Sequence, residues 1–439
     1  MNAVVVAVVL MLVLSLARMH VMLSMIVAAF VGGLVGGLSI NDTLNAFNDG
    51  IGGGAGIALS YAMLGVFAVA ISLSGLPQLL ADSMLKKVGV QNESGSQWLA
   101  QGLLAMLLVA AVCSQNLVPI HIAFIPILVP PLLMVMAKLK LDRRLIACVL
   151  TFGLITPYMF LPVGFGAIYL DKILLGQVAA AGLDVEGVSV VEAMALPAAG
   201  MLFGLLVAGF VSYRKPREYS LEKIDAAENG QREYNAKSLW VAGVAIVAAF
   251  AIQLITDSMV LGAMAGFLLF SATGVIRWNE SEGVILDGIK MMASIGFIMI
   301  AANGFSEVLK TTGHIDLLVN GAADFLGDNK ALTSFLLLLV GLLLTMGIGS
   351  SFSTIPIIAA IYVPLCMAMG FSPLAIVALI GTAGALGDAG SPASDSTLGP
   401  TAGLNADGQH NHMRDTVIPT FLHFNLPLLA AGWLATMVL

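Results

Sequence analysis

A chain of 439 residues that is 59% hydrophobic and only 10% charged, with a mean hydropathy of +0.98, is not a soluble globule. Apolar stretches of membrane-crossing length recur along it, which sets the class as an all-α polytopic membrane protein in a lipid bilayer. The net charge of −7 comes from loops and a few acids within apolar runs, and it points to no nucleic-acid partner.

In chain order, residues 2–17 and 20–38 form a helical pair split by Arg18, Met19 and His20. The start is apolar at once and has no basic n-region, so it reads as a first transmembrane helix and not as a signal peptide. Residues 41–50 read as a polar turn. Residues 51–85 form a long apolar stretch with a bend expected near Ser74, Gly75 and Pro77. Residues 98–137 are apolar but interrupted by Ser114, Gln115 and Asn116. A basic loop follows, with Lys138, Lys140, Arg143 and Arg144. Residues 145–175 are apolar with breaks expected at Thr156-Pro157 and at 162–166. Residues 176–192 read as a loop, and 193–212 span again. Cys113, Cys148 and Cys366 are far apart in apolar runs and form no metal or disulfide pattern.

Residues 213–237 are the only substantial hydrophilic segment, and they divide the chain. The expected organisation is a first transmembrane repeat over 1–212, a cytoplasmic linker over 213–237, and a second repeat with a C-terminal helix over 238–439. Asp49-Gly50-Ile51 recurs 238 residues later as Asp287-Gly288-Ile289, and Gly36 with Gly274 and Gly75 with Gly313 keep that offset. Further on, Pro162 of one break pairs with Pro392 of another. The basic 138–144 loop has an uncharged counterpart at 368–372, so the positive-inside rule puts the two on opposite sides. The repeats are therefore expected to be inverted, with about eleven transmembrane helices and two re-entrant hairpins. The hairpin tips fall at Ser114, Gln115 and Asn116, and at Ser350, Ser351, Ser353 and Thr354. Polar groups at such tips are candidates for substrate binding.

The stretch 381–405 carries the chemistry. Asp388 and Asp395 lie in a membrane-length segment, where each acid costs roughly 2.5–3.5 kcal/mol at a helix centre. Gly390, Ser391 and Pro392 between them unwind the helix. The acids, the freed carbonyls and the hydroxyls of Ser391, Ser394, Ser396 and Thr397 make an all-oxygen site suited to a hard cation such as Na⁺, and the acids can carry H⁺. Glu307, one turn after Asn303 in an apolar run, is a second proton-site and substrate-binding candidate, the alternative being a structural i,i+3 pair with Lys310. His121 reads as a structural hydrogen-bonder, Asp171-Lys172 as a membrane edge, and His410 and His412 as part of a solvated turn.

The run from Leu386 to Thr397 (LGDAGSPASDST) resembles the signature of the NhaC-type Na⁺/H⁺ antiporter family, within the ion transporter superfamily. Family members often carry His and Cys after the first Asp, where Ala389 and Gly390 stand here. The resemblance implies Na⁺-coupled secondary transport in the inner membrane, broken helices at the repeat interface, and a homodimer. The expected function is Na⁺/H⁺ antiport through Asp388 and Asp395. The alternative is Na⁺-driven symport of a small organic solute such as an amino acid. No His-Glu-x-x-His or Gly-x-Ser-x-Gly motif occurs, and no enzyme is expected.

Overall fold

The computed structural model describes all residues except 1, 18, 77–78, 80–92, 117–124, 126–127, 164, 228–234, 257, 316, 318–328 and 349–350. The described residues are helical, with no strand among them. In chain order the helices are α1 (Ala3–Leu16), α2 (Val21–Val35), α3 (Ile40–Leu73), α4 (Glu93–Asn116), α5 (Leu133–Lys138) and α6 (Arg143–Phe160). Helix α7 covers 165–180 with a π-helical middle, and α8 is Val190–Ser212. After the short α9 (Leu221–Ala227) come α10 (Ala236–Thr256), α11 (Met259–Ala272) and α12 (Ser281–Thr311). The last five are α13 (Lys330–Ile348), α14 (Ser351–Ala368), α15 (Pro373–Gly390), α16 (Asp395–Leu404) and α17 (His412–Val438).

Eight of the described helices are long and apolar enough to cross a membrane, or nine if the bent α12 counts as one span. Helix α12 bends by 44° between Ala293 and Gly296. Helices α1, α2, α11 and much of α14 are apolar but shorter. Helix α10 turns Trp240, Val247, Leu254 and Ile255 outward, as suits a lipid-facing surface.

Two local expectations change. Residues 41–50 are not a turn: Ser39 caps α3 by accepting the Asp42 N–H at 3.1 Å, and the helix runs on through the polar residues. Thr156-Pro157 does not break α6, which continues to Phe160 because Leu161 donates back to the Pro157 carbonyl at 2.8 Å. The helix stops only at the second interruption. Helix α4 runs through Ser114, Gln115 and Asn116, and the residues that follow, 117–124, lie outside the described ones.

Helices α3 and α12 are the long central pair, and glycines let their backbones touch. A Cβ on Gly50 would lie 2.5 Å from the Asn303 carbonyl, and one on Gly54 would lie 2.6 Å from Ile300 Cα. At the other end Gly65 meets Gly288. The start of each helix thus faces the far part of the other, so the two run antiparallel. Both end in a glycine at positive φ, Gly75 at 80° and Gly313 at 66°.

Helices α13 and α14 form a hairpin. Lys330 at its start donates to the Gly370 carbonyl at its end, at 2.5 Å, and the Tyr362 hydroxyl donates to Leu337 O at 2.8 Å. Its second helix begins beside the gap between α15 and α16, where Ser351 Oγ donates to Asp388 at 2.7 Å. Past the far end of α16, the 213–220 segment is sewn to the 405–411 turn. Arg143 is fully buried and grips Asp407 through two bonds of 2.7 Å, beneath the Tyr219 ring at 4.2 Å. Gln409 and Ser220 exchange two further bonds of 2.9 and 3.0 Å.

Candidate ion site at the break of α15 and α16

Helix α15 is capped by Ser372, which accepts the Ala375 N–H at 3.1 Å, with Pro373 in its first turn. Every residue from Ala375 to Gly390 is buried. At Ser391 the backbone leaves the helix (φ −83°, ψ 139°), and it resumes after Ser394, whose Oγ accepts the Ser396 N–H at 3.1 Å. Residues 391–394 are therefore unwound at the centre of the protein, and their polar groups find partners there. Ser391 Oγ donates to Met346 O at 3.2 Å. Thr397 Oγ1 lies within donating distance of Ser391 O at 2.6 Å and Ser394 O at 2.9 Å. The Pro392 carbonyl accepts from His412 Nε2 at 2.9 Å.

Asp388 sits in the last turn of α15 and is buried. Its Oδ2 accepts from Ser351 Oγ at 2.7 Å and from the Tyr158 hydroxyl. Tyr158 comes from the end of α6 and is held edge-on by Tyr169, with ring centres 4.8 Å apart. Asp395 opens α16 and is partly exposed; its Oδ2 accepts from Tyr61 of α3 at 3.4 Å and its Oδ1 from Ser396 Oγ at 3.4 Å. The negative end of the α15 dipole and the Asp388 carboxylate act on one volume, an arrangement that attracts a cation. The donor set is oxygen throughout, which suits a hard monovalent ion. No group of three or more His, Cys, Asp or Glu side chains is placed to hold a metal among the described residues.

The fold gathers Asp388, Ser351, Ser391, Ser394, Asp395, Ser396 and Thr397 around one break. Thr354 is buried in α14 nearby. Ser350 lies outside the described residues, as do the side chains of Ser353, Gln115 and Asn116. Ser114 turns its hydroxyl back to Ala111 O at 2.9 Å. Glu307 lies on α12 and pairs with Lys310 at 3.3 Å. His121 falls outside the described residues. His410 is buried and within 2.7 Å of Thr416 Oγ1, and His412 contacts the break, so the solvated turn expected there is a packed one. Sequence reasoning missed Tyr158, Tyr61 and His412. Tyr158 occupies the place in the first break that Asp388 holds in the second, counting back from Pro162 and Pro392, and that correspondence was the available signal.

This is a multi-pass membrane transporter with a polar break at its core. The chain belongs to the Na⁺/H⁺ antiporter family, whose profile matches residues 149–433; a second Na⁺-H⁺ antiporter family profile matches 2–88. An uncharacterized membrane protein of Vibrio parahaemolyticus is 59% identical over 91% of each chain. YuiF of Bacillus subtilis, named as a candidate amino acid transporter, is 50% identical over the whole of both chains. The solved YdaH transporter of Alcanivorax borkumensis is 16% identical over 90% of this chain and 87% of its own, at a TM-score of 0.42, too loose a likeness to carry an argument.

Proposed function

We propose that this secondary transporter exchanges Na⁺ for H⁺, with Asp388 as the shared site of the two ions and Asp395 as the second carboxylate. The observation that carries this reading is Asp388 buried at a helix break, with hydroxyl donors from two other helices on its Oδ2. A carboxylate in such a place holds either a proton or a cation, and competition for it ties the two fluxes together. With Na⁺ absent, Tyr158 and Ser351 orient the carboxylate. With Na⁺ present, the hydroxyl oxygens of Ser351, Ser391, Ser394, Ser396 and Thr397 are the neutral groups that could replace its water.

The proposal includes two inverted repeats, 1–212 and 238–439, joined by a cytoplasmic 213–237 linker. Antiparallel packing of α3 on α12 supports it: a two-fold axis in the membrane plane would exchange Gly50 with Gly288 and the two helix ends with each other. The hairpin tips remain candidates for solute contact, and assembly as a homodimer belongs to the same reading. A second reading, Na⁺-driven symport of an amino acid, is favoured by the full-length likeness to YuiF.

The test uses purified protein in sealed vesicles with an imposed Na⁺ gradient and clamped voltage. A Na⁺-dependent change of internal pH without added solute, absent in Asp388→Asn, is the expected result. No pH change, with Na⁺-dependent uptake of a labelled amino acid, would replace exchange by symport.

A further inference from the structure

A cavity of about 740 Å³ opens beside the break, walled by the α1–α2 junction, α12, α16 and the start of α17. That volume is in the range of small-molecule sites. Its lining divides by chemistry. His20, Asn405, Asn411, His412 and Arg414 form the polar part. Met291, Ile298, Leu398 and Met413 form the apolar part. No Asp or Glu is among the described residues that line it, and neither Asp388 nor Asp395 is one of them. The cavity is thus separate from the cation site and opposite to it in character.

Arg414 is exposed and brings a guanidinium, the side chain best shaped to clamp a carboxylate. Asn411 and His20 add an amide and an imidazole. An ammonium group has no such welcome: the Asn405 side-chain oxygen already accepts the His410 N–H at 3.1 Å, and no carboxylate lies on the described lining. His412 belongs to both places. Its ring lines the cavity, its Nε2 donates to Pro392 O in the unwound stretch, and its Nδ1 lies 2.8 Å from Thr401 Oγ1. Because a carbonyl only accepts, the neutral ring carries its proton on Nε2.

We propose that this cavity is a binding site for a small organic carboxylate, its anionic end held by Arg414, Asn411 and His20 and its short apolar chain laid against Met291, Ile298 and Leu398. The site takes the carboxylate whether or not an amino group is attached, since the clamp reads only the anion. An occupant pressing on His412 is one side chain away from the Pro392 carbonyl, which gives the solute a direct mechanical link to the cation site. The inference rests on the transporter reading for the fate of the solute, whereas binding is a separate property.

The experiment is isothermal titration of the full chain in lipid nanodiscs, in choline chloride without Na⁺. The probes are 4-methylpentanoate and its neutral isostere 4-methylpentanamide. Saturable binding of the carboxylate, at least about tenfold tighter than the amide and weakened about tenfold or more in Arg414→Gln, is the expected result. Equal binding of acid and amide overturns the proposal, and so does no binding of the acid. A second variant, His20→Gln combined with Arg414→Gln, changes only exposed side chains; unchanged affinity there also overturns it. Na⁺/H⁺ exchange is read separately in vesicles without carboxylate, so failure of one reading is distinguishable from failure of the other.

Discussion

The chain interrupts its helices twice in similar fashion, and the two breaks differ in almost every physical respect. After α6 the interruption begins Leu161-Pro162-Val163, with Leu161 45% and Val163 56% exposed. After α15 it reads Ser391-Pro392-Ala393-Ser394, with both serines fully buried. The first carries no acid and presents apolar side chains outward. The second is flanked by Asp388 and Asp395 and closed by hydroxyls. The first break still contributes, because the helix that leads into it ends by sending Tyr158 to Asp388. The two breaks thus differ in part: one holds the charge and the other supplies one hydrogen-bond donor to it.

Asp388→Asn tests that division most severely. Removing one buried charge from an ion pair with Na⁺ costs about 3 kcal/mol or more, so Na⁺-dependent exchange should fall by about 100-fold or more while the protein still elutes as an intact species. Exchange at the wild-type rate would move the charge-holding role elsewhere. Tyr158→Phe removes the donor supplied by the first break. A bond to a charged group contributes about 1.5–3 kcal/mol, so the Na⁺ half-saturation or the pH profile of exchange should shift by roughly ten- to a hundredfold. An unchanged profile would leave the first break with no part in the chemistry.

The prolines allow a direct contrast. Pro392→Gly loosens a backbone whose neighbouring carbonyls are each held by a side chain, and it should weaken Na⁺ half-saturation by about tenfold. Pro162→Gly sits among exposed residues and should change it by less than about twofold. Equal effects in the two variants would show the breaks to be interchangeable.

The smallest effect concerns the turn after α16. Burial pushes the His410 imidazole down to about 4, against the usual 6.5, although Asp415 acts in the other direction. The unfolded chain therefore binds this proton first as pH falls, and stability should decline progressively from about pH 6.5 to 4. Thermal unfolding across that window should show the decline in the wild type and a smaller one in His410→Gln. In the same turn burial raises the Asp407 carboxyl, but the Arg143 bonds outweigh it and hold the group below its ordinary value. Its contribution is lost only at still lower pH, as the folded value is crossed, so the two groups separate on the pH axis.

Composition alone determined that this is a helical membrane protein, because so apolar a chain has no other way to satisfy its backbone in lipid. The acids at 388 and 395 and the Ser-Pro between them were also legible, since charge in an apolar run is costly enough to mark a site without any fold. The local errors came where short-range signals competed. A cap at Ser39 outweighed the polar look of 41–50, and Pro157 lies close enough to the end of α6 for the helix to close around it.

Only the tertiary structure decided which side chains complete the site. Tyr61 is 334 residues from Asp395, and Tyr158 is 230 from Asp388. Contacts at such separations leave no periodicity or local composition to read. They exist because the hairpin and the two broken helices pack together around one unwound stretch, whose backbone groups must find partners out of reach of water.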